Sequence, residues 1–132
     1  MDTYTALYNL IYKRLGETLG VDIYDIPPKP NAPYPFVIIE PFNARITRIT
    51  KSGTDFESVK VYLNVYDYKK NRGNVGNMLH KVEQILTSIT EVGGFKTLAR
   101  RNTIEKNISI DRSTQDLLLQ GSFEIEMLII RR

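Results

Sequence analysis

Residues 57–68 alternate at every step. Val59, Val61, Leu63 and Val65 point one way, and Lys60, Tyr62, Asn64, Tyr66 and Tyr68 point the other. A period of two held over this length is a half-buried β-strand. Its second face is aromatic and polar rather than simply polar, and such a face often packs on another element or another chain. Soon after, the period changes. Val75, Met78, Leu79, Val82, Ile85, Leu86 and Ile89 fall on one face of a helix over 74–90. Asn71 or Asn74 supplies its N-cap, and Gly93-Gly94 breaks the chain after it.

The remaining segments extend this pattern. Leu7, Leu10, Ile11 and Leu15 recur at helical spacing over 3–19, with Asp2 or Thr3 as cap and Gly20 as stop. Tyr4, Tyr8 and Tyr12 form a second stripe on this helix. It either widens the core face or meets another subunit. Over 21–35, Pro27, Pro28, Pro30, Pro33 and Pro35 fix φ and remove donors, so the segment reads as an extended, polyproline-like connection. Phe36–Ile39 is a short strand buried on both faces, ended by Pro41. Residues 43–56 carry Arg45, Ile46, Thr47, Arg48, Ile49, Thr50 and Lys51, then the turn signal Ser52-Gly53-Thr54-Asp55; this reads as an exposed strand or arm before a hairpin. Ile104, Ile108 and Ile110 suggest a strand near 104–111. After a polar turn at 113–116, residues 117–130 alternate again and close the chain as a long hairpin.

The expected fold is therefore α+β: an antiparallel sheet of about four to five strands with the two main helices packed on one face. Residues 1–132 read as one domain, with 21–35 as a proline-rich linker between first helix and first strand.

Composition narrows the function classes. The chain of 132 residues has no cysteine and a single histidine, His80. Thiolate nucleophiles and Cys-based zinc sites are excluded, and one chain cannot build a multi-His metal site. The net charge of +3 speaks to solubility rather than to a partner. The basic residues are spread out, with small knots at Lys69-Lys70-Arg72 and Arg100-Arg101. No apolar run reaches membrane-spanning length, and the N-terminus lacks the layout of a signal peptide, so a cytoplasmic origin is expected.

Motifs that would carry chemistry are missing. Neither GxGxxG nor a Walker A pattern occurs. Arg72-Gly73-Asn74-Val75-Gly76 sets glycines at a helix start, but no lysine follows, and a capped loop accounts for it. Glu124 and Glu126 lie on the polar face of a strand, where nothing moves a carboxylate pKa toward working pH. Asp22, Asp25 and Asp67 lack the spacing of a metal loop. The expectation is a protein that is not an enzyme and needs no cofactor. Its candidate contact residues are Tyr62, Tyr66 and Tyr68 on the alternating strand, and Arg45, Arg48 and Lys51 on the arm. Tyr and Arg are the residue types that anchor interfaces.

The order of segments carries a resemblance. A helix leads through Val21-Asp22-Ile23-Tyr24-Asp25-Ile26-Pro27 into the proline-rich linker. Pro33-Tyr34-Pro35-Phe36-Val37-Ile38-Ile39 follows, then Val59-Lys60-Val61-Tyr62-Leu63-Asn64-Val65-Tyr66-Asp67, a long amphipathic helix, and Gly121-Ser122-Phe123-Glu124-Ile125. Over nearly its whole length the chain resembles the tail-completion, or tail-terminator, family of siphophages. The resemblance implies a homo-oligomeric ring, typically a hexamer, that caps the tail tube and ends its polymerisation. The ring offers a surface to the head connector or head-completion protein. Tail tube protein is the other partner, DNA passes through the lumen without specific binding, and no membrane is involved. The location implied is the virion, at the head–tail joint, after assembly in the host cytoplasm. A head-closure or connector protein of the same particle is the alternative, and a nucleic-acid-binding module using the Arg and Lys knots is a more distant one.

Overall fold

The computed structural model describes residues 2–26, 28, 32–48, 55–112 and 117–131, with backbone alone at 47, 48 and 131. The element order is α1 (Thr3–Leu19), β1 (Asp22–Tyr24), β2 (Phe36–Ile39), β3 (Asn43–Arg48), β4 (Asp55–Tyr68), a 3₁₀ turn (Lys69–Asn71), α2 (Arg72–Thr87), β5 (Glu91–Val92), β6 (Phe95–Asp111) and β7 (Leu118–Arg131). The strands form one sheet in the order β1-β2-β4-β7-β6-β5, with β3 also paired to β4.

The two long alternating segments build the centre. β4 and β7 pair antiparallel in unbroken register, from Asp55 opposite Arg131 to Tyr68 opposite Leu118. Their odd-numbered residues face the helices: Val59, Val61, Leu63 and Val65 on β4, and Phe123, Ile125, Met127 and Ile129 on β7, are all buried. α2 lies over β4, β7 and β6, and α1 packs beside α2 and against β1 and β5. The helices therefore cover one face of the sheet, as the periodicity requires.

α1 starts at Asp2, whose carboxylate accepts the Thr5 N–H at 2.7 Å; this decides between Asp2 and Thr3 as cap. It stops at Gly20, which sits in the left-handed region at φ 65°. Thr3 is buried and its hydroxyl donates to the Glu57 carboxylate on the core face of β4. The N-terminal end of a helix dipole is a favourable place for that charge.

β2 and β3 lie in line along the same edge of β4. Ile39 is opposite Leu63 and Asn43 is opposite Lys60, so residues 40–42 face only 61 and 62. This is a one-residue bulge. Pro41, which has no N–H to give, explains its place. Glu40 N–H still reaches the Tyr62 carbonyl at 3.0 Å. Phe42 turns to α1 instead. The Tyr4 hydroxyl accepts the Phe42 N–H and donates to the Phe42 carbonyl, both at 2.9 Å. The rings of Tyr4 and Tyr8 each stand 5.7 Å from that of Phe42. Tyr4 and Tyr8 thus serve this chain's own core, while Tyr12, 45% exposed, is left facing outward. Tyr4→Phe removes a hydrogen-bond partner of two backbone groups and is expected to lower stability by about 1–3 kcal/mol in chemical denaturation. A change below about 0.5 kcal/mol would show that water replaces the hydroxyl at little cost.

The structure corrects the expected sheet in size and in sense. Among the described residues it has seven strands and is mixed, because β1 pairs parallel with β2. β1 is only three residues long and lies in the segment read as a linker; Ile23 ties it to the core. β6 begins at Phe95 rather than near 104. Its register breaks between Arg100, opposite Glu126, and Glu105, opposite Glu124, so residues 101–104 face Ile125 alone. Thr103 carries the ladder across this bulge: its hydroxyl donates to the Arg100 carbonyl at 2.6 Å and accepts the Glu126 N–H at 2.9 Å.

α2 begins at Arg72 and ends at Thr87, earlier at both ends than its apolar stripe suggested, although Ile89 remains buried. Asn71 occupies the cap position without capping. Its side chain and that of Asn74 instead donate to Asp67, at 3.1 and 2.7 Å, and the Tyr68 N–H joins them at 2.7 Å. Asp67, 1% exposed, therefore fixes the turn from β4 into α2. The turn residues 52–54 and 113–116 and the arm residues 49–51 lie outside the described residues.

Candidate interaction surface

The face of the sheet away from the helices is built from the even-numbered residues of β4 and β7 and the odd-numbered residues of the second half of β6. Most of its β4 and β7 side chains are half-buried. Three patches follow one another along it.

At one end is an aromatic cluster. Tyr34 stacks on Phe36 at 5.0 Å, Phe36 meets Tyr66 at 5.2 Å and Tyr24 edge-on at 5.6 Å, and Tyr34 meets Tyr68 at 5.0 Å. The Lys70 ammonium lies 5.4 Å from the Tyr68 ring centre. Burial, with Glu40 and Asp111 adding negative charge, pushes the Tyr66 hydroxyl above its ordinary pKa, so it stays protonated.

In the middle, Asn64 organises a polar network. Its amide donates to Glu40 at 3.0 Å, and its carbonyl accepts from Gln120 at 3.2 Å and from Ser122 at 3.1 Å. Beside it is an open concavity of about 410 Å³ lined by Glu40, Tyr62, Asn64, Glu105, Asn107, Ser122 and Glu124.

At the far end, Glu126 accepts from Ser58 at 2.8 Å and pairs with Arg100. The Glu126 carboxylate, expected on a solvated face, is in fact largely covered, with 14% of its side chain exposed. The Ser58 hydroxyl, with Arg100, lowers its pKa against the opposing effect of burial. A depressed folded-state pKa adds stability that is present above the ordinary value of 4.5 and is lost as pH falls through the folded value. Glu126→Gln is therefore expected to be less stable than the parent at neutral pH, with the gap closing as pH drops below about 4.5. Parallel urea titrations at several pH values check this; a gap that does not change with pH contradicts it.

The sequence-derived candidates divide among these patches. Tyr66 and Tyr68 belong to the aromatic cluster and Tyr62 to the central concavity. Arg45 is exposed on β3, beside Asn43, Ser58, Lys60 and Glu126. Arg48 ends β3, with its side chain outside the description, and Lys51 lies outside the described residues. The stretch from Tyr62 to Tyr68 alone spans about 20 Å, so the candidates share a face rather than a point. Sequence reading missed Tyr24, Tyr34 and Phe36, which join the cluster only because β1 and β2 are laid beside β4. It also missed the Arg100–Glu126 pair.

The face has hydroxyls, amides and carboxylates, but no imidazole. His80 is exposed on α2, which packs on the opposite side of the sheet. Among the described residues, no group of three His, Asp or Glu is placed to hold a metal, and no helix is long and apolar enough to cross a membrane. What the face offers chemically is hydrogen bonding, charge and aromatic surface.

No family model matches the chain, and no curated protein matches its sequence. Among solved structures, the chain is similar in fold to a chain of the virion of a native gene transfer agent particle. The TM-score is 0.69 over 98% of this chain and 98% of that one, at 12% sequence identity.

Proposed function

We propose that this chain is a structural virion protein without catalytic activity, a subunit of the ring that caps a phage tail tube. The ring ends tube polymerisation and presents the surface to which the head joins. The observation that carries this reading is the end-to-end likeness of fold to a virion chain, with neither chain leaving an unmatched domain. The residue pattern that resembles tail-completion proteins supports it independently. So does the surface itself, which is suited to contact rather than turnover.

Its partners in this reading are further copies of itself, the tail tube protein and the head connector, with DNA passing through the lumen. No cofactor takes part. The test is to mix purified protein with uncapped tail tubes and image the ends. Rings seated on tube ends support the reading. Binding to connector-bearing heads with none to tubes would replace it with a head-closure role.

A further inference from the structure

Among the described residues, four strands keep one side unpaired; β1 and β5 are only three and two residues long, which leaves β3 and β6 as the extended free edges. β3 pairs only with β4, and β6 beyond Thr97 pairs only with β7. Unpaired strand edges template pairing, and proteins usually blunt them. β6 is blunted at 101–104 by its bulge, but 105–111 runs in regular register without proline. β3 is likewise regular over Asn43–Arg48. Each edge carries an exposed isoleucine, Ile46 at 57% and Ile110 at 39%. Both lie on the helix-bearing face, since Ile46 is opposite Glu57 and Ile110 is opposite Leu119.

Strand direction limits how copies can join. β3, β4, β7 and β6 are successive neighbours, each antiparallel to the next. β3 and β6 therefore run in opposite senses. Rotation about a ring axis changes neither a strand's direction along that axis nor which face points outward. So β6 of one copy meets β3 of the next antiparallel, with the helices of both on the same side.

Charge agrees with this pairing. β3 holds Arg45 and Arg48 and no acidic residue, while 105–111 holds Glu105 and Asp111. The one basic residue of that stretch, Lys106, is paired to Glu83 of its own chain at 2.7 Å. A register that sets Ile46 against Ile110 also sets Arg45 against Asp111 on the open face. Within one copy β3 lies level with the first half of β6, so this register requires copies to be staggered along the strands, as the shear of a closed sheet demands.

We propose that copies of this chain join by antiparallel pairing of the end of β6, residues 108–111, with residues 45–48 of β3 of the next copy, giving one sheet that is continuous around the ring. The inference rests on the ring reading above and names its contact. Because the chain has no cysteine, an Ile46→Cys, Ile110→Cys double variant reports the contact cleanly. Applied to capped tail tubes, a short bis-maleimide linker yields a ladder from dimer to closed ring, and neither single variant does. Arg45→Asp weakens assembly roughly tenfold, and adding Asp111→Arg restores it to within roughly threefold. Capped tubes that give no ladder, single variants that cross-link as dimers, or assembly indifferent to Arg45→Asp would each overturn the edge contact alone. Tubes that are never capped would instead overturn the ring reading.

Discussion

Phe123→Ala is expected to lower stability by about 3–5 kcal/mol and the melting temperature by on the order of 10–20 °C. Phe123 is 2% exposed, on the core face of β7, directly opposite Leu63 of β4. It belongs to the buried cluster that also holds Val82 and Leu86 of α2. Truncation removes the apolar transfer gain of the ring and leaves a void that close-packed neighbours fill only in part. Two neighbouring strands fix the backbone of β7, so the sheet cannot collapse into the space. Thermal denaturation followed by circular dichroism reads the shift. A fall of under about 1 kcal/mol would mean that α2 moves down to fill the gap.

The second large effect is the opposite error at the nearest core position on the same strand. Gly121 faces Val75 and Leu79 of α2. A Cβ placed there would stand 2.8 Å from Val65 Cγ2 and 3.0 Å from both Leu79 Cδ1 and Val75 Cγ1. Here the glycine is needed for space and not for its backbone freedom. Gly121→Ala is expected to cost about 1–3 kcal/mol, and Gly121→Val about 3 kcal/mol or more, by forcing α2 away from β7. Trimming the contact, as in a Gly121→Ala, Val75→Ala double variant, should recover part of the loss, since the two sites share one contact. Additive losses in the double variant would contradict the steric account.

These two positions show what was legible in the chain and what was not. β4, β7, α1 and α2 could be read because each has one apolar face and one period, and such a face must be buried somewhere. The alternation over 117–130 alone puts Phe123 on the same face as Ile125 and Met127. The close approach at Gly121 could not be, because it depends on which helix crosses which strand.

β1 escaped for a related reason. Asp22-Ile23-Tyr24 has no pattern of its own amid prolines and becomes a strand only when β2 lies beside it. The first half of β6 escaped because the bulge at 101–104 breaks the alternation and hands the ladder to the Thr103 side chain. On the interaction surface, the tyrosine row of β4 was visible as an aromatic period of two. Its closing partners Tyr34 and Phe36, and the Arg100–Glu126 pair, are joined across strands that only the fold sets side by side.

In the proposed role the chain ends tail growth. Its most direct test is the length distribution of tails, measured by electron microscopy, in particles assembled with the gene deleted. The account predicts tubes of uncontrolled length that carry no heads, and recovery of one length when the protein is supplied. Head-joined tails of a single normal length in its absence would contradict it.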